Sequence, residues 1–167
     1  MKKTKLITLC GMMSALSVVI MLVGGYLEVG MYAAPMISGL LLMPVGDRYG
    51  KKYHIAMWAV VGVISFILIP YVEQNLMFLL LFGLYPVIYS FFGKMPRGLR
   101  MITKFIYFNI TFIGIEALVM FVLVPEVVSL WMTIVFLVLG NITFLLYDLI
   151  VPRVIFLFKR YLGNLMK

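Results

Sequence analysis

The chain has 167 residues, of which 65% are hydrophobic and 12% are charged, and its mean hydropathy is +1.15. A soluble domain is about half apolar and a quarter charged, so the composition predicts a single all-α integral membrane domain. It leaves no room for a soluble catalytic domain. The formal net charge is +8, but the positive-inside rule accounts for the basic residues, which argues against nucleic acid as a partner.

All fourteen Lys and Arg residues fall in four short clusters. The clusters are Lys2, Lys3 and Lys5; Arg48, Lys51 and Lys52; Lys94, Arg97, Arg100 and Lys104; and Arg153, Lys159, Arg160 and Lys167. Between neighbouring clusters lies enough apolar sequence to cross a bilayer twice, and each far turn carries an acid: Glu28, Glu73 or Glu126. Because Lys and Arg collect in cytoplasmic loops, we predict six transmembrane helices with both termini in the cytoplasm. The expected location is the bacterial plasma membrane.

The predicted helices cover, in chain order, residues 6–24, 31–45, 55–69, 76–92, 101–124 and 128–151. The second is short for a bilayer, which needs about 20 residues. Pro86 is expected to kink the fourth helix, and Pro152 is expected to end the sixth. The tail 153–167 either lies along the inner membrane surface as an amphipathic helix or only anchors the last crossing.

Glu116 is the most informative polar residue, because it lies inside the fifth apolar run with no Lys, Arg or His at the same depth. An ionised carboxylate there costs at least about 2.5 kcal/mol. Either Glu116 is neutral and hydrogen-bonded to a neighbouring helix, or an amine-bearing ligand or a proton satisfies it. Asn109 is expected to join helices by hydrogen bonds, and Asn141 either does the same or contacts a ligand. Asp148 is expected to form a salt bridge at the inner side.

Aromatic residues are concentrated at the predicted outer side: Tyr26, Tyr32, Tyr71 and Trp131. Interfacial belts explain such residues without a function, yet with the outer acids and Glu116 they also describe an outward-facing cup for a ligand. One His and one Cys are present, with no HExxH, P-loop or Ser-His-Asp set. We therefore expect no metal site, no cofactor, no catalytic residues and no enzyme activity.

Gly11 and Ala15 form a small-xxx-small pair in the first helix, which either packs inside the chain or contacts a partner. Together with the basic start, the size and the six-helix topology, this pair makes the chain resemble the substrate-binding S components of energy-coupling factor (ECF) transporters. The family pattern in this helix is Ala-x-x-x-Ala, and here the first position is Gly11.

The resemblance implies an S-component-like bundle that captures a vitamin or similar micronutrient from outside. Such proteins work with a membrane coupling protein and two cytoplasmic ATPases. Gly11 and Ala15 would contact the coupling protein. The residues that would line the ligand site in the outer half are Tyr26, Glu28, Tyr32, Tyr85, Glu116 and Asn141.

Two alternatives stay open. The chain could be an accessory or scaffold protein that binds another membrane protein, and would then have a groove rich in small residues in place of an enclosed ligand site. It could also be a stand-alone proton-coupled carrier or a small membrane enzyme, although few polar residues converge at one depth.

Overall fold

The computed structural model describes residues 3–27, 30–93, 95–120 and 130–165, and all the regular structure in them is helical. The elements are α1 (Lys3–Tyr26), α2 (Ala33–Tyr49), α3 (Lys51–Leu68), α4 (Val72–Leu76), a π-helical segment (Met77–Phe82), α5 (Tyr85–Phe92), α6 (Arg97–Leu118) and α7 (Leu130–Leu165). Glu28, Glu126 and the end of the fifth predicted helix lie outside the described residues.

Five stretches of the described residues are long and apolar enough to cross a membrane. They are Thr4–Tyr26, Lys51–Leu68, Val72–Tyr89, Arg97–Leu118 and Thr133–Phe158. Helix α2 is not among them, because it has only 17 residues. The chain is thus a helical protein with the character of a multi-pass membrane protein, and the sixth crossing and the cytoplasmic termini stay predictions.

Helices α1 and α2 pack closely and run in opposite directions. The Ser38 hydroxyl donates to the Ser17 carbonyl at 3.1 Å, and the Ser17 hydroxyl lies 3.5 Å from the Ser38 carbonyl. One end of this contact is Gly24, where an added Cβ would overlap the Cβ of Ala34. Small residues therefore set the distance between these helices, as is common in membrane proteins.

The α-helical hydrogen bonding of the fourth predicted crossing is interrupted near its middle, and we call this interruption the break. The segment begins as α4, widens into the π-helical segment and resumes as α5, while the backbone dihedral angles of Gly83 and Leu84 between them stay helical. Pro86 lies in the first turn of α5, where its missing N–H interrupts no hydrogen bond of that helix. The sequence predicted a kink at Pro86, and the structure shows a change of helix type just before it.

Side chains from three other helices donate to the carbonyls that this break exposes. Trp58 Nε1 donates to the Leu79 carbonyl at 3.0 Å, and the Tyr147 hydroxyl donates to the Phe82 carbonyl at 3.0 Å. The Tyr107 hydroxyl donates to the Leu80 carbonyl, and His54 Nε2 lies 3.0 Å from the Gly83 carbonyl oxygen. Backbone groups in an apolar environment need such partners, so these four donors make the break possible.

Helix α7 continues through Pro152 to Leu165, where the sequence predicted an end at residue 151. A proline in a helix removes one hydrogen bond, to the carbonyl four residues earlier, and Pro152 itself is exposed. The loss is confined to one bond in a long helix, which explains why the helix is not interrupted.

The helix directions place the charges at opposite ends of the bundle. We call one end the basic end: there α2 carries Arg48 in its last turn, and α3 and α6 begin at Lys51 and Arg97. We call the other the acidic end, because it carries Glu73 of α4 and Glu116 of α6.

Candidate functional site at the acidic end

Three polar side chains at the acidic end each lie one helical turn beyond an apolar residue that lines a cavity. The pairs are Tyr32 with Met36, Glu73 with Met77, and Glu116 with Phe112. Residues four apart share one face of a helix. Tyr32, Glu73 and Glu116, which we call the polar rim, therefore stand above the apolar cavity on three different segments of the chain.

The cavity lies between α2, the π-helical segment, α6 and α7 and has a volume of about 210 Å³. Its walls are mostly aromatic and aliphatic, and none of its residues is charged. They are Tyr32, Met36, Met77, Leu81, Phe82, Phe108, Phe112, Phe136, Leu139, Gly140 and Thr143. The π-helical segment contributes three of them, so the break in the fourth predicted crossing shapes this site.

Tyr32 belongs both to the cavity and to the polar rim. Its hydroxyl lies within electrostatic range of the Glu73 carboxylate. A tyrosine hydroxyl is protonated at physiological pH, so Tyr32 is a neutral group that can donate a hydrogen bond at the rim.

The two carboxylates of the rim lie close enough to interact electrostatically. Among the residues that the structure describes, the only ion pair is between Lys104 and Asp148, so neither Glu73 nor Glu116 has a basic partner there. The Glu73 Oε1 atom is buried without a hydrogen-bond partner. The rim thus offers hydrogen-bond acceptors without basic partners, a surrounding that favours a donor or a cation.

Asn141 pairs with Asn109 across α6 and α7. Each amide nitrogen donates to the other side chain's oxygen at 2.9 Å, and each also donates to the carbonyl four residues earlier in its own helix at 2.8 Å. The helix-joining role expected for Asn109 is confirmed. The amide of Asn141 is occupied by the same pair, so a ligand would have to compete with these bonds.

Tyr85 lies at the other side of the cavity's aromatic wall, toward the basic end. Its side chain is buried, and its hydroxyl donates to the Asp148 carboxylate. Lys104 Nζ also contacts Asp148, at 2.6 and 2.9 Å from the two oxygens, and lies 4.4 Å from the centre of the Tyr89 ring. The predicted salt bridge of Asp148 is confirmed, and it ties α5, α6 and α7 together.

The remaining predicted site residues do not join the polar rim. Tyr26 is 78% exposed at the end of α1, beside Pro70 and Tyr71. Glu28 lies outside the described residues. Gly11 and Ala15 are exposed, and an added Cβ at Gly11 would meet nothing within 4 Å. The pair is therefore not used for packing within the described chain.

A second cavity, of about 260 Å³, opens at the basic end, where its wall includes Lys51, His54 and Tyr89. Asp47 lies in the same wall and places a carboxylate among these groups. No group of three or more His, Cys, Asp or Glu side chains able to hold a metal occurs among the residues described.

The sequence analysis missed the apolar part of the site. Phe108, Phe112 and Glu116 recur at intervals of four, which places them on one face of α6, and this spacing could have linked the deep carboxylate to an aromatic wall. Nothing in the sequence indicated Gly140, which faces the rings of Phe108 and Phe112 across the cavity.

The chain matches no protein-family model, and no curated protein or solved structure matches it either.

Proposed function

We propose that this protein is a membrane-embedded substrate-capture subunit of a micronutrient uptake transporter, of the kind that the S components of ECF transporters exemplify. It binds a small molecule at the acidic end and depends on a membrane coupling protein and cytoplasmic ATPases for transport. The observation that carries the proposal is the apolar cavity beneath the polar rim of Tyr32, Glu73 and Glu116. Ligand sites are concave and mostly apolar, with a few polar groups that orient the ligand.

The proposed orientation places the acidic end outside the bacterial plasma membrane and the basic end in the cytoplasm. It includes α2 as a sixth crossing. At 1.5 Å per residue its 17 residues extend about 25 Å, and the hydrogen bonds between Ser17 and Ser38 hold it antiparallel to α1. A ligand would then arrive from outside at the polar rim.

The surface of α1 around Gly11 and Ala15 is the proposed contact with the coupling protein. Both residues are exposed and leave room for close approach of another helix. The same observation favours one alternative, a scaffold protein that binds another membrane protein. The two differ in what is bound at the acidic end, since a scaffold needs no ligand there.

The test is gentle purification from native membranes followed by native mass spectrometry. A coupling protein with ATPases, or a retained small molecule, is the expected result. The double variant Gly11→Leu, Ala15→Leu should lose the coupling protein, whereas the matched variant Gly114→Leu should keep it, because Gly114 is also exposed and surrounded by open space. Recovery with a different membrane protein and no small molecule would overturn the transporter in favour of the scaffold.

A further inference from the structure

Aromatic rings form the wall of the acidic-end cavity where α6 faces α7. The ring of Phe108 is stacked between those of Phe112 and Phe144, at centroid distances of 5.5 and 4.5 Å and inclinations of 18° and 19°. Gly140 lines the cavity and packs against the ring ends, because a Cβ added there would lie 3.4 Å from Phe108 Cζ and 3.5 Å from Phe112 Cζ. The absence of a longer side chain at Gly140 leaves the cavity open beside these rings, which suit an aromatic ligand.

The volume of the cavity sets the size of its occupant. Apolar cavities of about 150 Å³ bind benzene, and this cavity has about 210 Å³. It has no charged residue in its wall, so a polar body placed there would lose its hydration without gaining partners. The fitting body is a ring system of one or two rings without internal charge.

The cavity is reached from the hydrocarbon layer. Phe136 and Leu139 of α7 line it, yet they are 48% and 53% exposed. In a membrane, those exposed surfaces face lipid chains. An apolar molecule dissolved in the outer leaflet can therefore reach the cavity beside α7 without crossing water.

The polar rim decides what the ligand carries at its other end. Tyr32 lines the cavity beside Glu73, while Glu116 stands one turn beyond Phe112. The buried Oε1 of Glu73 has no partner, and no base pairs with either carboxylate among the residues described. A protonated amine supplies both the hydrogen bonds and the charge that these oxygens lack.

We infer that the site takes a lipophilic amine, that is, a ring body held in the cavity beside Phe112 and Gly140, with its ammonium group at Glu73 and Glu116. The ligand enters from the outer leaflet beside α7. This inference rests on the proposed function in taking the acidic end as the outer side and as the place of ligand capture, and it is tested on the isolated chain without any partner.

The test uses three naphthalene probes that share one ring system and differ in charge: 1-naphthylmethylamine, 1-naphthylmethanol and 1-naphthoate. The full-length protein, with ¹³C-methyl methionine, is placed in lipid nanodiscs, and the signals of Met36 and Met77 are followed. We expect saturable shifts of both signals, with the amine bound at least tenfold more tightly than the naphthoate. Met12, which is exposed on α1, reports partition into the lipid and should respond equally to the amine and the neutral alcohol.

Gly140→Leu places a long side chain in the cavity wall and should abolish the shifts of Met36 and Met77, whereas Gly114→Leu, whose site is open, should leave them unchanged. If Gly140→Leu does not fold, the charge preference of the unaltered protein still decides the matter. Equal binding of amine and naphthoate, or shifts that persist in a folded Gly140→Leu, would overturn the inference. The inference would also be overturned if the Met36 and Met77 signals changed with the length of the lipid chains and not with the probes, because acyl chains would then occupy the cavity.

The two proposals can fail separately. Amine binding by a chain that recovers no coupling protein would retain the inference and reject the transporter. Recovery of a native transporter complex whose retained molecule has no amine would keep the transporter and reject the inference of an amine ligand.

Discussion

The hydroxyl of Tyr32 lies beside the carboxylate of Glu73, so the start of α2 and α4 meet at the rim of the cavity. The two residues are far apart in the sequence, and each lies one turn beyond a methionine of the cavity wall. The two side chains therefore bring two sides of the opening together. The buried Oε1 of Glu73 has no hydrogen-bond partner, so it can accept from a hydroxyl or an amine that reaches the rim.

We expect the Tyr32 hydroxyl to donate to the neighbouring Glu73 carboxylate, so Tyr32→Phe should lower the free energy of unfolding by about 1 kcal/mol, the usual contribution of an intramolecular hydrogen bond. The measurement is unfolding in mixed detergent micelles. Tyr26→Phe is the matched control, because Tyr26 is mostly exposed and its hydroxyl should contribute nothing measurable. Equal effects of the two substitutions would show that the bond to Glu73 does not stabilise the fold.

Lys104→Met should destabilise the protein by about 3 kcal/mol, because it leaves the partly buried Asp148 carboxylate without its cation. The double variant Lys104→Met, Asp148→Asn should recover most of that loss, since no charge is then buried and the amide oxygen can still accept from the Tyr85 hydroxyl. Thermal melting in detergent measures both, with Lys52→Met, at an exposed position, as the control. A double variant less stable than Lys104→Met alone would contradict this account of the ion pair.

Asn141→Ala should cost about 1 kcal/mol, in the range of interhelical hydrogen bonds in membranes, because it leaves the Asn109 side chain without its partner. Binding of the amine probe should change by less than threefold. A loss of binding much larger than the loss of stability would instead assign Asn141 to the ligand, as the sequence analysis predicted.

The glycines of α1 should respond in opposite ways to the addition of one methyl group. Gly24→Ala should destabilise the fold by about 1–3 kcal/mol, the usual result of overpacking, because its Cβ would overlap Ala34. Gly11→Ala should be neutral or stabilising by a few tenths of a kcal/mol, since alanine is the better helix former and its Cβ meets nothing. Circular dichroism melts of the two variants provide the comparison.

Tyr147→Phe should destabilise the protein by about 1–3 kcal/mol, because the buried carbonyl of Phe82 would lose its donor. Tyr53→Phe, at an exposed position in α3, controls for the loss of a hydroxyl. If Tyr147→Phe were as stable as the unaltered chain, the π-helical segment would not depend on its side-chain donors.

Much of the helical pattern was predictable, because hydropathy and the positions of basic residues depend only on local sequence. Five of the six predicted helices correspond to stretches that can cross a membrane. The break before Pro86 was harder to place, since a π-helix arises from partners on α3, α6 and α7 that a single segment does not encode. The continuation of α7 through Pro152 likewise reflects the tolerance of a long helix for one missing bond.

The candidate site was predictable only in part, for a related reason. The depth of Glu116 followed from counting residues, and its neighbour Tyr32 was already among the expected site residues. The choice of partners across helices was not encoded in the same way: Asn141 pairs with Asn109, and Tyr85 with Asp148. Which residues face each other depends on helix rotation, and the wider π-helical turn shifts that rotation for every residue after Met77.

The donors that hold the broken crossing have a consequence for how the protein is made. The segment from Val72 to Phe92 leaves the ribosome before Tyr107 and Tyr147 exist, so two of the four donors are absent when it first enters the bilayer. Hydrocarbon offers no substitute for them. We therefore expect the segment to enter as an α-helix that satisfies most of its own carbonyls and to become π-helical when α6 and α7 dock. The Phe82 carbonyl, four residues before Pro86, has no N–H to bond within such a helix and would have to wait for Tyr147. On this account the cavity at the acidic end is complete only at the last step of assembly.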